Sequence, residues 1–167
     1  VANSVIFQEL SDMKDNLEKM VVERTSIIES QKAEMERDIE LARKIQIALL
    51  PSHIPNLPQM DIAYRYEPVM KVGGDFIDIH YREGMTDLGL FICDVSGHGA
   101  GSAMISSMVK MSLNSWGRFI NSPGKAFVEM RNMLYGKMGD NFITACMCCV
   151  NLETGVVTSA NAGHPPM

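Results

Sequence analysis

The chain has 167 residues, 46% of them apolar, four cysteines and a formal net charge of −5. That length suits one domain with an appendage, and an acidic balance without a basic stripe excludes nucleic acid as a partner. No apolar stretch approaches the length of a membrane span and no signal peptide is visible, so a soluble cytoplasmic protein is expected.

Residues 1–50 contain neither Gly nor Pro and are predicted to form one long helix. Leu10, Met13, Leu17 and Met20 recur at a 3-4-3 spacing. The register then slips by four before Ile28, Met35, Ala42, Ile45 and Leu49 continue it. A slip of this kind is a stutter, which locally unwinds a coiled coil. Arg24, Gln31, Glu34 and Asp38 fall on or near the seam, so the helix is expected to pair weakly as a parallel homodimer and to shift between registers. Residues 51–59 break it, because Pro51, Pro55 and Pro58 cannot continue a helix and form a stiff connector.

From residue 60 to residue 167 the pattern is that of a separate α+β domain. DIAYRYEPV alternates like a half-buried strand, and further strands are predicted near residues 75–82 and 88–94, around a polar turn containing Gly84. SAMISSMVKMSLNSWGRF has helical periodicity with no breaker before Gly117, and its Met104, Met108 and Met111 stripe reads as core. A second helix opens with Ser122 as N-cap and Pro123 in its first position. FITACMCCVNLETGVVTSANAG reads as a hairpin turning at residues 153–155. Cys93, Cys146, Cys148 and Cys149 read as reduced core residues without a metal role.

The chemistry concentrates in residues 71–102, KVGGDFIDIHYREGMTDLGLFICDVSGHGAGS. Asp75 and Asp78 flank one apolar run, and Asp94 follows the uncharged residues 88–93. Burying an unpaired carboxylate is costly, and a divalent cation compensates clustered carboxylates. Gly73, Gly74, Gly97 and Gly99 allow close backbone approach to a ligand. Carboxylates without a useful Cys or His cluster select hard cations, Mg²⁺ or Mn²⁺ ahead of Zn²⁺. Two such ions sharing one carboxylate could ready a hydroxide for in-line attack on phosphorus. Asp94 is the expected shared ligand, with the Val95 carbonyl exposed by the turn that follows.

IQIALLPSHIP, YRYEPVMKVGGDFIDI, ICDVSGHGAGSAM and ANAGHPP together resemble metal-dependent (PPM-type) serine/threonine phosphatases. The branch is the bacterial one that includes SpoIIE-like and RsbU-like enzymes, and the resemblance runs from about Glu40 to the last residue. It implies the first part of an α-β-β-α sandwich behind a coiled-coil helix. Carried over by position, it implies Asp75 and Asp94 as catalytic ligands of Mn²⁺ or Mg²⁺, the Val95 backbone carbonyl as a further ligand, and Asp78 as a second-shell or water-mediated one. Gly74, Gly97, His98, His164 and Lys71 are the expected rim of the substrate side.

The resemblance further implies a phosphoserine or phosphothreonine substrate on an anti-sigma-factor antagonist of the STAS type. VVERT is similar to helices joining such domains to sensor or HAMP modules, and the parent protein is expected to be membrane-anchored through such a sensor. Eukaryotic members follow the bridging aspartate with Gly-His as general acid, whereas here Val95, Ser96 and Gly97 precede His98. The family's later Asp-Gly and Asp-Asp motifs fall beyond Met167, so an incomplete site and bare edge strands are expected of this chain. The competing expectation is therefore a catalytically silent interaction module.

Overall fold

A computed structural model describes residues 2–68, 70–114, 117 and 119–165. It divides the chain into two units, Val1–Glu40 and Leu41–Met167. Helix α1 runs unbroken over Ala2–Leu49, as the lack of Gly and Pro predicts. Within the first unit its apolar stripe faces solvent: Leu10, Met13, Leu17 and Met20 are all more than half exposed. Intrahelical pairs, Gln8 with Asp12 and Lys14 with Glu18, decorate the surface and contribute only tenths of a kcal/mol, ~0.2–0.5 each. Among the described residues no helix is long and apolar enough to cross a membrane.

The second unit is built on one antiparallel sheet in the order β1-β2-β3-β4, with β1 Phe76–His80, β2 Asp87–Val95, β3 Ile143–Asn151 and β4 Val157–Ala162. Helices α2 (Ala100–Leu113) and α3 (Pro123–Leu134) pack on it. Pleating sends alternate side chains to opposite faces, and the register decides which. Phe76 pairs with Cys93 and Cys93 with Ala145, so these three share a face with Phe91 and Met147. That face carries the core, closed by Val109 and Leu113 of α2 and by Ala126, Met130 and Leu134 of α3. The opposite face presents Ile77, Ile79, Leu90 and Ile92, all only half buried.

Two sequence expectations change here. DIAYRYEPV keeps its alternation of exposed and half-buried residues through residues 61–68, but it forms no strand. Its burial pattern comes from packing, with Tyr66 against the core and the Tyr64 hydroxyl donating to the Pro51 carbonyl at 2.8 Å. Of the methionine stripe of α2 only Met108 packs against the core, since Met104 is 71% and Met111 64% exposed. The helix instead buries Ser102, Ser106 and Ser112 beside its small apolar residues. Each of these hydroxyls donates to the carbonyl three residues before it, which removes the cost of burying it. Ser122 is the N-cap of α3 and Pro123 opens the helix, as expected; the Ser122 carbonyl accepts from Lys125 and Ala126, and its side chain makes no capping hydrogen bond.

The β3–β4 hairpin turns as predicted. The Asn151 side-chain oxygen accepts from the backbone N–H groups of Glu153 and Thr154, and Gly155 takes the left-handed conformation at φ 71°. All four cysteines are free and buried.

Candidate metal centre

The β1–β2 register, continued by one residue beyond Phe76–Cys93, sets Asp75 opposite Asp94, both on the face away from the helices. Asp94 in turn pairs with Thr144 of β3, and Ala145 bridges to Gly163 beside His164. One row across the end of the sheet thus carries Asp75, Asp94, Thr144 and the Gly163–His164 turn. Alternation also corrects the expectation that Asp94 is desolvated by its apolar strand. Cys93 and Val95 point into the core, while Asp94 between them is exposed.

The two carboxyls face one another closely enough for each to feel the other's charge. Desolvation by the surrounding protein, then the charge of Asp94, raise the Asp75 carboxyl above the usual carboxylate range, and His164 pulls it partly back. Like charges held this close favour either a retained proton or a bound cation. Both residues line a cleft of about 350 Å³ together with Gly73, Gly74, Gly97 and His98.

The backbone around the pair is closely fitted. A Cβ on Gly74 would lie 2.4 Å from the Val95 carbonyl oxygen, so this oxygen occupies space that only glycine leaves open. Gly97 and Gly99 both adopt φ 86°, which lets the chain turn sharply from β2 into α2. Ser96 ties that turn to the start of β3: its N–H donates to the Phe142 carbonyl and its hydroxyl accepts from the Phe142 N–H, each at 2.9 Å.

Of the residues expected at the site, Asp75, Asp94, Gly74, Gly97 and His98 meet in the cleft. The Val95 carbonyl lies against Gly74. His164 stands outside the cleft lining, close enough to act on Asp75 electrostatically and braced by Asn161, which accepts from its N–H and donates to its carbonyl. Lys71 is exposed and does not line the cleft. Asp78 is set aside as a ligand. It lies three residues after Asp75, hence on the core face, where Lys110 of α2 donates to both its oxygens at 2.8 and 2.9 Å.

The donor set tests whether a hard cation fits. Two facing carboxylates and a backbone carbonyl fitted against Gly74 are oxygen donors of the kind that suit Mg²⁺ or Mn²⁺. Cys93 beside them is no competitor, because burial, then Asp75 and Asp94, drive its thiol far above the ordinary range and away from the thiolate. Among the described residues no group of three or more His, Cys, Asp or Glu gathers. The residues therefore fit one hard cation with a partial ligand set.

Two residues that the sequence reading missed stand behind the cleft. Gln46, in the last turns of α1, is buried; its amide donates to the Gly73 carbonyl at 2.6 Å and to the Ser106 hydroxyl at 3.1 Å, and accepts from the Gly73 N–H at 3.1 Å. The signal was a lone amide between Ile45 and Ile47 in an apolar run. Tyr66 was the other, hidden inside an apparent strand.

Residues 85–167 match the family described as stage II sporulation protein E (SpoIIE). The chain is 26% identical over 134 residues to phosphoserine phosphatase RsbU of Bacillus subtilis, covering 80% of this chain and 39% of that protein. It is 32% identical over 144 residues to phosphoserine phosphatase RsbP of the same organism, covering 81% and 34%. The chain thus spans two-fifths or less of the length of these relatives. The SiaA-PP2C domain of Pseudomonas aeruginosa shares the fold with a TM-score of 0.64 at 17% identity, over 79% of this chain and 54% of that one.

Proposed function

The chain belongs to the SpoIIE family of PPM-type phosphatases, and from that premise we propose that it carries metal-binding residues of a Mn²⁺- or Mg²⁺-dependent protein serine/threonine phosphatase. The substrate class is a phosphoserine or phosphothreonine regulator of the anti-sigma-factor antagonist type. The observation that carries this reading is the opposition of Asp75 and Asp94 across paired strands at the mouth of a cleft.

In this reading Asp75, Asp94 and the Val95 carbonyl hold the ion. Such an ion supplies positive charge for phosphoryl oxygens and acidifies a water. Gly74 keeps the Val95 carbonyl within the site, and the Gly97–Gly99 turn leaves room for a phosphate beside His98. His164 stays at the rim. The experiment is phosphate release from a phosphoserine peptide by the chain, with Mn²⁺ and with a chelator. Release is expected only with the metal, and undiminished release under chelation would sink the proposal. The partial ligand set favours a second reading, a silent module. Mn²⁺ binding without any release would select it.

We further propose that α1 regulates this site as a homodimeric coiled coil, with Gln46 as the last link to Gly73 and Ser106. Its exposed apolar stripe supports pairing, and sedimentation should then return twice the mass of the chain. Gln46→Ala strands the N–H and carbonyl of Gly73, each costing roughly 1–3 kcal/mol where buried, while Ser106 keeps its bond to the Ala103 carbonyl. The substitution should weaken Mn²⁺ binding by about tenfold or more, as loss of outer-shell partners does. An unaltered Mn²⁺ titration of that variant would remove Gln46 from the pathway.

A further inference from the structure

One interior hydroxyl is idle. The Tyr66 phenolic oxygen is buried and has no hydrogen-bond partner among the described residues, while its ring packs against the core cluster. Phenylalanine would fill the same space without stranding a polar group, and a stranded buried hydroxyl is destabilising. The position of this one is informative. It lies 3.9 Å from where a Cβ on Gly73 would sit, and so rests against the loop that carries Asp75 two residues later. The Gly73 carbonyl and N–H are both already bonded to Gln46. That same Cβ position lies 4.0 Å from the Asp75 backbone nitrogen, so Asp75 is the charged acceptor that this loop carries beside the hydroxyl.

This inference rests on the metal-phosphatase reading above. We propose that Tyr66 is a positioning residue of the metal centre, whose hydroxyl donates a hydrogen bond to the Asp75 carboxylate when Asp75 acts as a ligand. An ionised carboxylate offers about four lone-pair positions, of which a cation occupies one or two, so an additional donor is accommodated. Partners of this kind orient ligating groups, and their removal typically weakens metal binding about 10–100-fold. The phenol supplies that donor from a rigid ring packed against the core. The tyrosine thus gives up some stability in the metal-free chain and recovers it by ordering a ligand.

The test compares wild type and Tyr66→Phe by two measurements: calorimetric titration with Mn²⁺, and the thermal midpoint of the metal-free chain. Tyr66→Phe is expected to bind Mn²⁺ about tenfold more weakly, with a metal-free midpoint equal to or above wild type. A merely structural hydroxyl would lower the midpoint and spare the affinity. That result, or equal affinities, overturns the proposal while leaving the phosphatase reading intact. A wild-type chain that takes up no Mn²⁺ overturns both.

Discussion

Asp94→Asn is expected to lower metal-dependent phosphate release by about a thousandfold or more, since a bound ion contributes several kcal/mol to the transition state and each 1.36 kcal/mol is tenfold. Calorimetric Mn²⁺ binding should fall with it. The substitution keeps the size of the side chain, removes its charge and turns one acceptor oxygen into a donating NH₂. Its effect on stability should run in the opposite direction. The Asp75 carboxyl is raised by desolvation and by Asp94, so the folded chain holds that proton more tightly than the unfolded one. This advantage is present at low pH and is lost as the pH climbs from the unfolded carboxylate value, about 4, through the raised folded one. At neutral pH the metal-free wild type carries a repulsive pair that Asp94→Asn abolishes. Its metal-free thermal midpoint should therefore match or exceed wild type at pH 7, with the difference vanishing below about pH 4. A variant that is both fully active and less stable would mark Asp94 as structural.

Gly74→Ala is expected to be the most damaging one-carbon change in the second unit. The new Cβ would stand 2.4 Å from the Val95 carbonyl oxygen and 3.0 Å from the Val95 Cβ. Backbone cannot swing aside as a flexible side chain does, so β1 and β2 must part at the row where Asp75 faces Asp94. Overpacking of this kind costs roughly 1–3 kcal/mol, and Mn²⁺ binding should be lost beyond what the drop in stability explains. Gly124→Ala is the control. In α3 a Cβ there meets nothing within 4 Å, and replacing a helical glycine gains up to about 1 kcal/mol. Retained Mn²⁺ affinity in Gly74→Ala would show that the close approach is incidental.

The contrast between Asp75 and Asp78 shows how far local pattern reaches. Both are carboxylates next to the same apolar run, and only the family resemblance, not the local pattern, ranks Asp75 above Asp78 for metal. The pleat separates them: Asp78 goes to the helix-covered face and Lys110, Asp75 to the open face and Asp94. Lys110 is 32 residues away in sequence, so the pairing is invisible until α2 is laid on the sheet. The methionines of α2 teach the same lesson in reverse. Apolar spacing suggested they were core, yet only Met108 packs there, and serines that satisfy their own hydroxyls within the helix are buried where Met104 and Met111 are not.

What the amino-acid order determines by itself is whatever depends on neighbours within a few residues. The unbroken helix α1 follows from absent breakers, the Asn151–Gly155 turn from side-chain and glycine geometry, and the glycine-flanked acidic motifs from their own spacing. Tertiary structure alone decided which carboxylates face each other, why Gly74 must lack a side chain, and that Gln46 and Tyr66 stand behind the cleft. The physical reason is that strand pairing and helix packing join groups tens of residues apart. Face and partner are properties of register, and register is set only when the whole sheet closes on its core.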